Sequence, residues 1–452
     1  MRPRTIALSL CLLASCARIP EHELAPITQN AGCKSLKEES IASGEWPADR
    51  WWEEMHDPVL TDLIERALRA SPTLKKAEER LKAACQVALQ KRAALFPQVN
   101  VEITDLWAHL SKDGFFRAFA PTVPDVVNDF FIGLSFSYEF DFWGKNRDLW
   151  KAALGETCAR AAERKQAELI LTTSIAYTYA ELQFLLTKRD LLQERSSNRS
   201  ALTGVRSRRE TNALDTAMDP LFSKAMQLNV DALLADSSQE IAEQIHKLKQ
   251  LSGIGQDGKL DVQLMILHPL KVALPENLSM DLLGRRPDLV AQRLRAEAAG
   301  RVIDAKKTDF YPNINLYGLL GFDGVFWDKL FKKGSLDAGL IPAFHLPIFT
   351  AGRLQAQLME AVAEYNEAVR GYEELILRAA QEVADGLTKV VFLQKEIEVR
   401  KGSLQVAEKQ RSIVTRRIKA RRSASGAGVQ PFSSSFRRIR ASIGLASGRP
   451  GL

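Results

Sequence analysis

The chain has 452 residues, 46% of them apolar and 26% charged. That balance builds folded structure and excludes disorder throughout. The net charge is +7, but the 32 residues from Arg421 to Leu452 hold six Arg and no Asp, Glu or Lys, so the body carries 7 − 6 = +1. The high isoelectric point belongs to the tail and gives no argument for a nucleic-acid partner.

The first element in chain order is a targeting signal, residues 1–15. Arg2 and Arg4 precede an apolar stretch from Ile6 to Leu13, too short to span a bilayer as a helix. It ends in "LASC", with Ser15 and Cys16 at the expected cleavage point. This resembles a bacterial lipobox, which implies cleavage before Cys16 and lipidation of its sulfur. An ordinary secretory signal with a chance Cys is the competing reading. Ala17 follows, and no Asp stands there to suggest inner-membrane retention. Cys33, Cys85 and Cys158 lie far apart with no paired ligand spacing; buried free thiols are expected, with a Cys85–Cys158 disulfide as the alternative.

After an extension over 16–56, the chain repeats itself. "SPTLKKAEERLKAA" from Ser71 resembles "RPDLVAQRLRAEAA" from Arg286, and "LFPQVNVE" from Leu95 resembles "FYPNINLY" from Phe310. Pro287 − Pro72 and Pro312 − Pro97 are both 215. A later glycine pair gives 352 − 144 = 208, so the second copy has short deletions. Two repeats are expected, 57–255 and 281–420, joined by a linker over 256–280.

Each repeat predicts the same order. A helix begins at the first proline, with Leu74, Ala77, Leu81, Ala84 and Ala88 at helical spacing in copy one. A proline ends it, and two strands follow, near 96–106 and 131–140, then near 311–322 and 340–349. A very long proline-free helix comes next, from Lys145 to about Arg206 and from Ala351 to about Ala420. About 60 residues make a rod of roughly 90 Å, far beyond a globular helix, and imply a coiled coil. In copy one a second long helix returns, with Leu221, Met226, Leu228, Leu233, Leu234, Ile241, Ile245 and Leu248.

The strands alternate. Gln98, Asn100, Glu102, Ser135, Ser137, Glu139, Asn313, Asn315 and His345 form the polar set. Val99, Val101, Ile103, Leu134, Phe136, Tyr138, Ile314, Leu316, Phe344, Leu346 and Ile348 form the apolar set. Segments of about ten residues suit tilted transmembrane strands. A half-buried soluble sheet alternates in the same way, but it leaves the rods unexplained.

Five motifs, "WWEEMHDPVLTDLIERAL", "YEFDFWGKNR", "LLGRRPDL", "YPNINL" and "LPIFTAGRL", occur in order and in the right copies. Together they resemble the lipidated, TolC-like outer membrane factors of the NodT type, over about Ala31 to Ala420. The resemblance implies an α+β membrane protein. A homotrimer would share a twelve-stranded outer-membrane barrel, four strands per subunit, above a long helical tunnel. The polar set would then face the lumen and the apolar set the lipid. It also implies a passive export duct for small molecules, working with a periplasmic adaptor and an inner-membrane pump, without catalysis, cofactor or metal. A lipid-anchored periplasmic coiled-coil protein without a barrel is the reading from another class.

Two apparent motifs carry nothing. "GIGQDGK" from Gly253 fits a phosphate loop on paper, but a helix precedes it and Leu260 replaces the Ser or Thr, so a helix C-terminal turn is expected. "GRRPDL" reads as a helix entry, with Pro287 in the first turn and Asp288 near the positive helix end. The six His share no ligand spacing.

The tail breaks the duplication. Past Ala420 the resemblance implies a turn and a returning apolar helix with acidic positions at the tunnel's narrow end. Residues 421–452 supply 7 Ser, 6 Arg, 5 Gly and 2 Pro instead, with no carboxylate. The expectation is a reading frame lost near Arg421, which leaves gate residues without matching positions and allows a relic that no longer works as a channel.

Overall fold

The computed structural model describes residues 19–28, 46–111, 113, 119, 122, 125–260, 262–265, 283–325 and 327–424. The expected signal, Cys16, Cys33 and the tail beyond Ala424 lie outside the described residues. The helices are α1 (Pro58–Ala70), α2 (Pro72–Ala93), α3 (Lys145–Thr211), α4 (Met218–Leu251), α5 (Pro287–Thr308) and α6 (Arg353–Ala424). The strands are β1 (Gln98–His109), β2 (Val126–Glu139), β3 (Asn313–Gly324) and β4 (Leu336–His345). A short 3₁₀ turn over Trp51–Met55 precedes α1.

The duplication survives in the fold to the residue. The ends of α2 and α5 differ by 308 − 93 = 215, and β1 and β3 by 313 − 98 = 324 − 109 = 215. The long helices start at 353 − 145 = 208. α3 has 67 residues and α6 has 72, each about 100 Å of continuous helix.

The chain forms two compact units. One holds the sheet, most of α2, the start of α3 up to Glu163, α5, the start of α6 up to Ile376, and the segment 19–28. Its helical core gathers Ala296, Ile303, Phe310, Leu354, Leu358, Val362 and Val369, with Ile19, Ala25 and Ile27 packed against it. Segment 19–28 is strapped to α6: the Ala25 amide donates to Asn366 Oδ1 at 2.8 Å, Tyr365 donates to the Ala25 carbonyl at 3.0 Å, and Thr28 donates to Glu373 at 3.1 Å.

The other unit holds α1, the rest of α3, α4 and the rest of α6. Leu60, Leu63, Ile64 and Ala67, at helical spacing on α1, pack with Trp52, Ile175, Tyr179, Leu182, Ile241 and Leu248. Asp57 starts α1. Its Oδ1 accepts from the Val59 and Leu60 amides at 2.8 and 3.1 Å, and Pro58 fills the first helical position, where no amide is needed. Its Oδ2 accepts from the buried Tyr179 hydroxyl at 2.8 Å. Burial, then the Asp57 hydrogen bond and charge, pushes the Tyr179 hydroxyl well above its ordinary pKa. Tyr179→Phe leaves a buried carboxylate oxygen without its donor. The expected loss is about 1–3 kcal/mol, read from denaturant midpoints.

The α3–α4 turn is closed by Arg206 and Arg209, which bond Asp215 at 2.9 Å each. Hydrogen bonds from Arg209 and then Arg206 hold the Asp215 carboxyl below its usual range. The end of α4 is the helix C-terminal turn the sequence suggests: Gly253 has φ +70, and the Ile254 amide bonds the Lys249 carbonyl at 2.8 Å. At the start of α5, Arg286 pairs with Asp288 at 2.7 Å. Burial raises the Asp288 carboxyl, but the Arg286 hydrogen bond and charge and the Leu289 amide outweigh it, and its pKa lies below the ordinary value. Cys85 and Cys158 are free thiols, but not buried as expected: Cys85 is half-buried and Cys158 is exposed.

Candidate functional site

The candidate site is the sheet, a four-stranded antiparallel meander in the order β1-β2-β3-β4, with β1 and β4 at open edges. Its register decides which residues share a face. Gln98 pairs with Ser137, Asn100 with Ser135, Glu139 with Asn315, and Asn313 with His345, while Glu102 opposes Gly133. Side chains alternate along each strand, so the nine polar positions named from the sequence fall on one face. Val99 pairs with Phe136, Val101 with Leu134, Ile103 with Ile132, Tyr138 with Leu316, and Ile314 with Phe344, all on the other face.

Three corrections apply. β4 ends at His345, so Leu346 and Ile348 lie beyond the strand. Pro347 has no amide to donate, and the partner strand β3 begins at Asn313, opposite His345, so pairing stops there. β4 instead starts earlier, at Leu336, and carries Pro342 on an open edge where a missing donor is tolerated. β2 extends back to Val126, through Asn128 and Asp129, which interrupt the apolar alternation in the sequence.

The apolar face is bare. Val101 is 66% exposed, Leu340 67% and Phe344 66%. In water an uncovered face of this extent on four long strands is a large penalty. Aromatic side chains cluster at both ends of it. Trp107 stands at one end, level with Asn128, and Trp327 lies against Phe130 with ring centroids 4.1 Å apart. At the other end Tyr138 meets Phe140 at 4.9 Å, and Trp143 stacks on Tyr311 at 5.0 Å while donating to the Pro312 carbonyl at 2.7 Å. From Asn128 to Tyr138 is ten residues. That is about 33 Å of strand, or roughly 25 Å of height at a barrel-like tilt, which fits the apolar band between two aromatic girdles. The sequence reading missed these girdles. Their residues are scattered in the chain, and only the register brings them to two levels.

Where the strands meet the helices, polar groups interlock. Asn313 donates to Glu139 at 3.2 Å, and Lys145 lies 3.1 Å from Asp309 and 3.8 Å from Glu139. Gln98 turns back to bond the Ala93 and Phe96 carbonyls at 3.0 and 3.1 Å. Among the helices of the same unit, Arg295 reaches Glu156 and Glu163. Burial raises the Glu163 carboxyl, yet the Arg295 and Arg160 guanidinium groups outweigh it and hold the pKa below its usual range.

The model of the outer membrane efflux protein family matches residues 63–253 and 278–420. The chain belongs to that family. Among its relatives, the multidrug resistance outer membrane protein MdtP of Shigella flexneri is 30% identical over 407 residues, spanning 87% of this chain and 81% of that protein. The putative multidrug resistance outer membrane protein MdtQ of Shigella flexneri is 30% identical over 412 residues, spanning 88% and 85%. The crystal structure of the outer membrane protein VceC of Vibrio cholerae superposes with a TM-score of 0.75 at 31% identity, covering 89% of this chain and 93% of that one. The outer membrane channel CmeC of Campylobacter jejuni gives a TM-score of 0.76 at 21% identity, covering 95% and 88%, and supports the fold. The family match ends at Ala420, four residues before the end of α6 at Ala424.

Proposed function

We propose that this chain is one subunit of a homotrimeric outer-membrane duct, through which small molecules leave the periplasm passively. The observation that carries the reading is the sheet: one face polar, one apolar and bare, both edges open. Open edges are not tolerated in lipid, and four strands cannot close a barrel. Three copies give twelve strands and remove every edge. Gln98, Asn100, Glu102, Ser135, Ser137, Glu139, Asn313, Asn315 and His345 then line water, while the apolar partners meet lipid. The long helices form the periplasmic tunnel. The duct works with a periplasmic adaptor and an inner-membrane pump, and the pump supplies the energy.

The strap supports a lipid anchor at Cys16. Its contacts run from Glu23 at Asn366 to Thr28 at Glu373, so it approaches the sheet-proximal start of α6 as it is traced toward its N-terminus. From Asn366 back to Arg353 is 13 residues, about 20 Å of helix, and the seven residues from Cys16 to Glu23 reach about 23 Å. An acyl chain on Cys16 is thereby within reach of the membrane edge.

Membrane fractionation tests the reading. The chain is expected in the outer membrane, migrating as an SDS-resistant trimer that collapses on heating, with labelled palmitate lost in Cys16→Ser. A soluble monomer with no heat shift would sink it. A second reading concerns the far part of α6, where no residue from 388 to 420 is buried: the chain closes its barrel but does not seal its tunnel.

A further inference from the structure

Two aromatic residues, Phe131 and Tyr317, stand on the polar face, and Phe131 lies nearer the end away from the helices. By alternation Phe131 shares that face with Ser135, Ser137 and Glu139, and it stands opposite Asp323. A strand side chain normally stands roughly perpendicular to the sheet, so in the proposed barrel its ring would project into the lumen. It does not. Gly133 and Gly321 face each other across β2 and β3. A methyl group on Gly133 would lie 2.6 Å from Phe131 Cζ, and one on Gly321 would lie 3.0 Å from Phe131 Cε2. The ring therefore lies folded along the sheet, over both glycines, in space that any side chain at either position would fill. The two strands also approach closely here: the same methyl groups would come 2.8 Å from the Gly321 Cα and 2.6 Å from the Gly133 Cα.

We propose that the Gly133–Gly321 recess stores the Phe131 ring against the lumen wall, so that Phe131 sets the size of solute the barrel passes at this level. The proposal rests on the polar face lining the lumen. Three copies place three rings around one ring of wall. Flat rings leave the bore open, whereas rings displaced from the recess stand into it.

The test reads size directly and does not depend on the tunnel. Ser137 lies on the same face, six residues nearer the helices than Phe131, so a reagent from outside passes Phe131 to reach it. Ser137→Cys is made in a chain whose Cys33, Cys85 and Cys158 are serine. It is then labelled in whole cells with a small charged maleimide and with bulky polymer-linked maleimides. The small reagent is expected to label every variant. Labelling by bulky reagents is expected to fall several-fold in Phe131→Trp, whose larger ring overfills the recess, and in Gly133→Ala. It is expected to match or exceed the parent in Phe131→Ala, and to recover when Phe131→Ala is added to Gly133→Ala. If the small reagent fails on the parent Ser137→Cys, the lumen reading falls. If it labels every variant and bulky labelling in Phe131→Trp equals the parent, the stored ring is wrong. Phe131→Trp carries the test should Gly133→Ala not fold, because it leaves the glycine backbone contact intact.

Discussion

Leu134→Arg is expected to remove the trimer from the outer membrane, while Ser135→Arg, one residue along the same strand, leaves it assembled. Leu134 lies mid-strand in the row Val101–Leu134–Leu320, on the bare apolar face. Ser135 lies in the row Asn100–Ser135, on the polar face. A charged side chain at the bilayer midplane costs about 2–4 kcal/mol on a lipid-facing strand position. Three subunits multiply that to roughly 6–12 kcal/mol per trimer, comparable with a whole domain's stability. At Ser135 the same guanidinium enters water and displaces only a hydroxyl. The measurement is the yield of heat-modifiable trimer in outer-membrane fractions, compared between the two variants. A soluble sheet packed by its apolar face on a protein core gives no heat-modifiable outer-membrane trimer in the parent or in either variant. Equal yields therefore overturn the assignment of faces.

Much of this was legible in the sequence because duplication supplied its own control. The 215-residue offset between prolines carried straight into the matching bounds of α2 with α5 and β1 with β3. The faces followed from period-two alternation, since a one-residue slip would have exchanged every named residue. What failed to show was non-local. β2 begins at Val126 because β1 runs on to His109 and pairs with it, whereas the local signal at Asn128 and Asp129 reads as loop. Leu346 and Ile348 continue the alternation in sequence, yet Pro347 and the end of β3 stop the ladder before them. Phe131, Tyr317, Leu319 and Ile341 sit on the polar face, and a rule of polar-in, apolar-out misplaces them. For Phe131 the reason is the recess made by two glycines 188 residues apart in the chain, which no local window contains.

Grafting a returning helix after Ala420 is expected to convert the far part of α6 from an exchanging rod into a protected one and to restore export. The corresponding part of α3 has its partner: α4 buries Ile241 and Leu248 in a shared core, and Lys188 meets Glu240 at 2.7 Å. On α6, Phe392, Val399, Val406 and Ile413 form an apolar column at seven-residue intervals. A second column of Val390, Ile397, Leu404 and Ile418 is interrupted only by Arg411. The two columns are offset by two residues, about 200° around the helix, so α6 presents two nearly opposite apolar seams. A period of seven is that of a left-handed supercoil. A helix with two such seams is built to be held from both sides, by its own returning helix and by a neighbouring subunit. Phe392, Val399, Val406 and Ile413 are 63%, 72%, 57% and 46% exposed. Burying each contributes about 1.5–3 kcal/mol, so the fully apolar column alone stands for roughly 6–12 kcal/mol. We propose that the reading frame is lost near Arg421 and that a shifted frame past codon 420 encodes a Leu- and Ala-rich helix with carboxylates. In the chain as it stands, amide hydrogens of 388–420 are expected to exchange rapidly while the sheet is protected, and on the second reading, of an unsealed tunnel, a strain lacking its own channel gains no export. With the shifted-frame segment, or with a helix patterned on Met218–Leu251, both outcomes reverse. Protection of 388–420 together with working export in the unaltered chain would show that residues 421–452 complete the tunnel themselves.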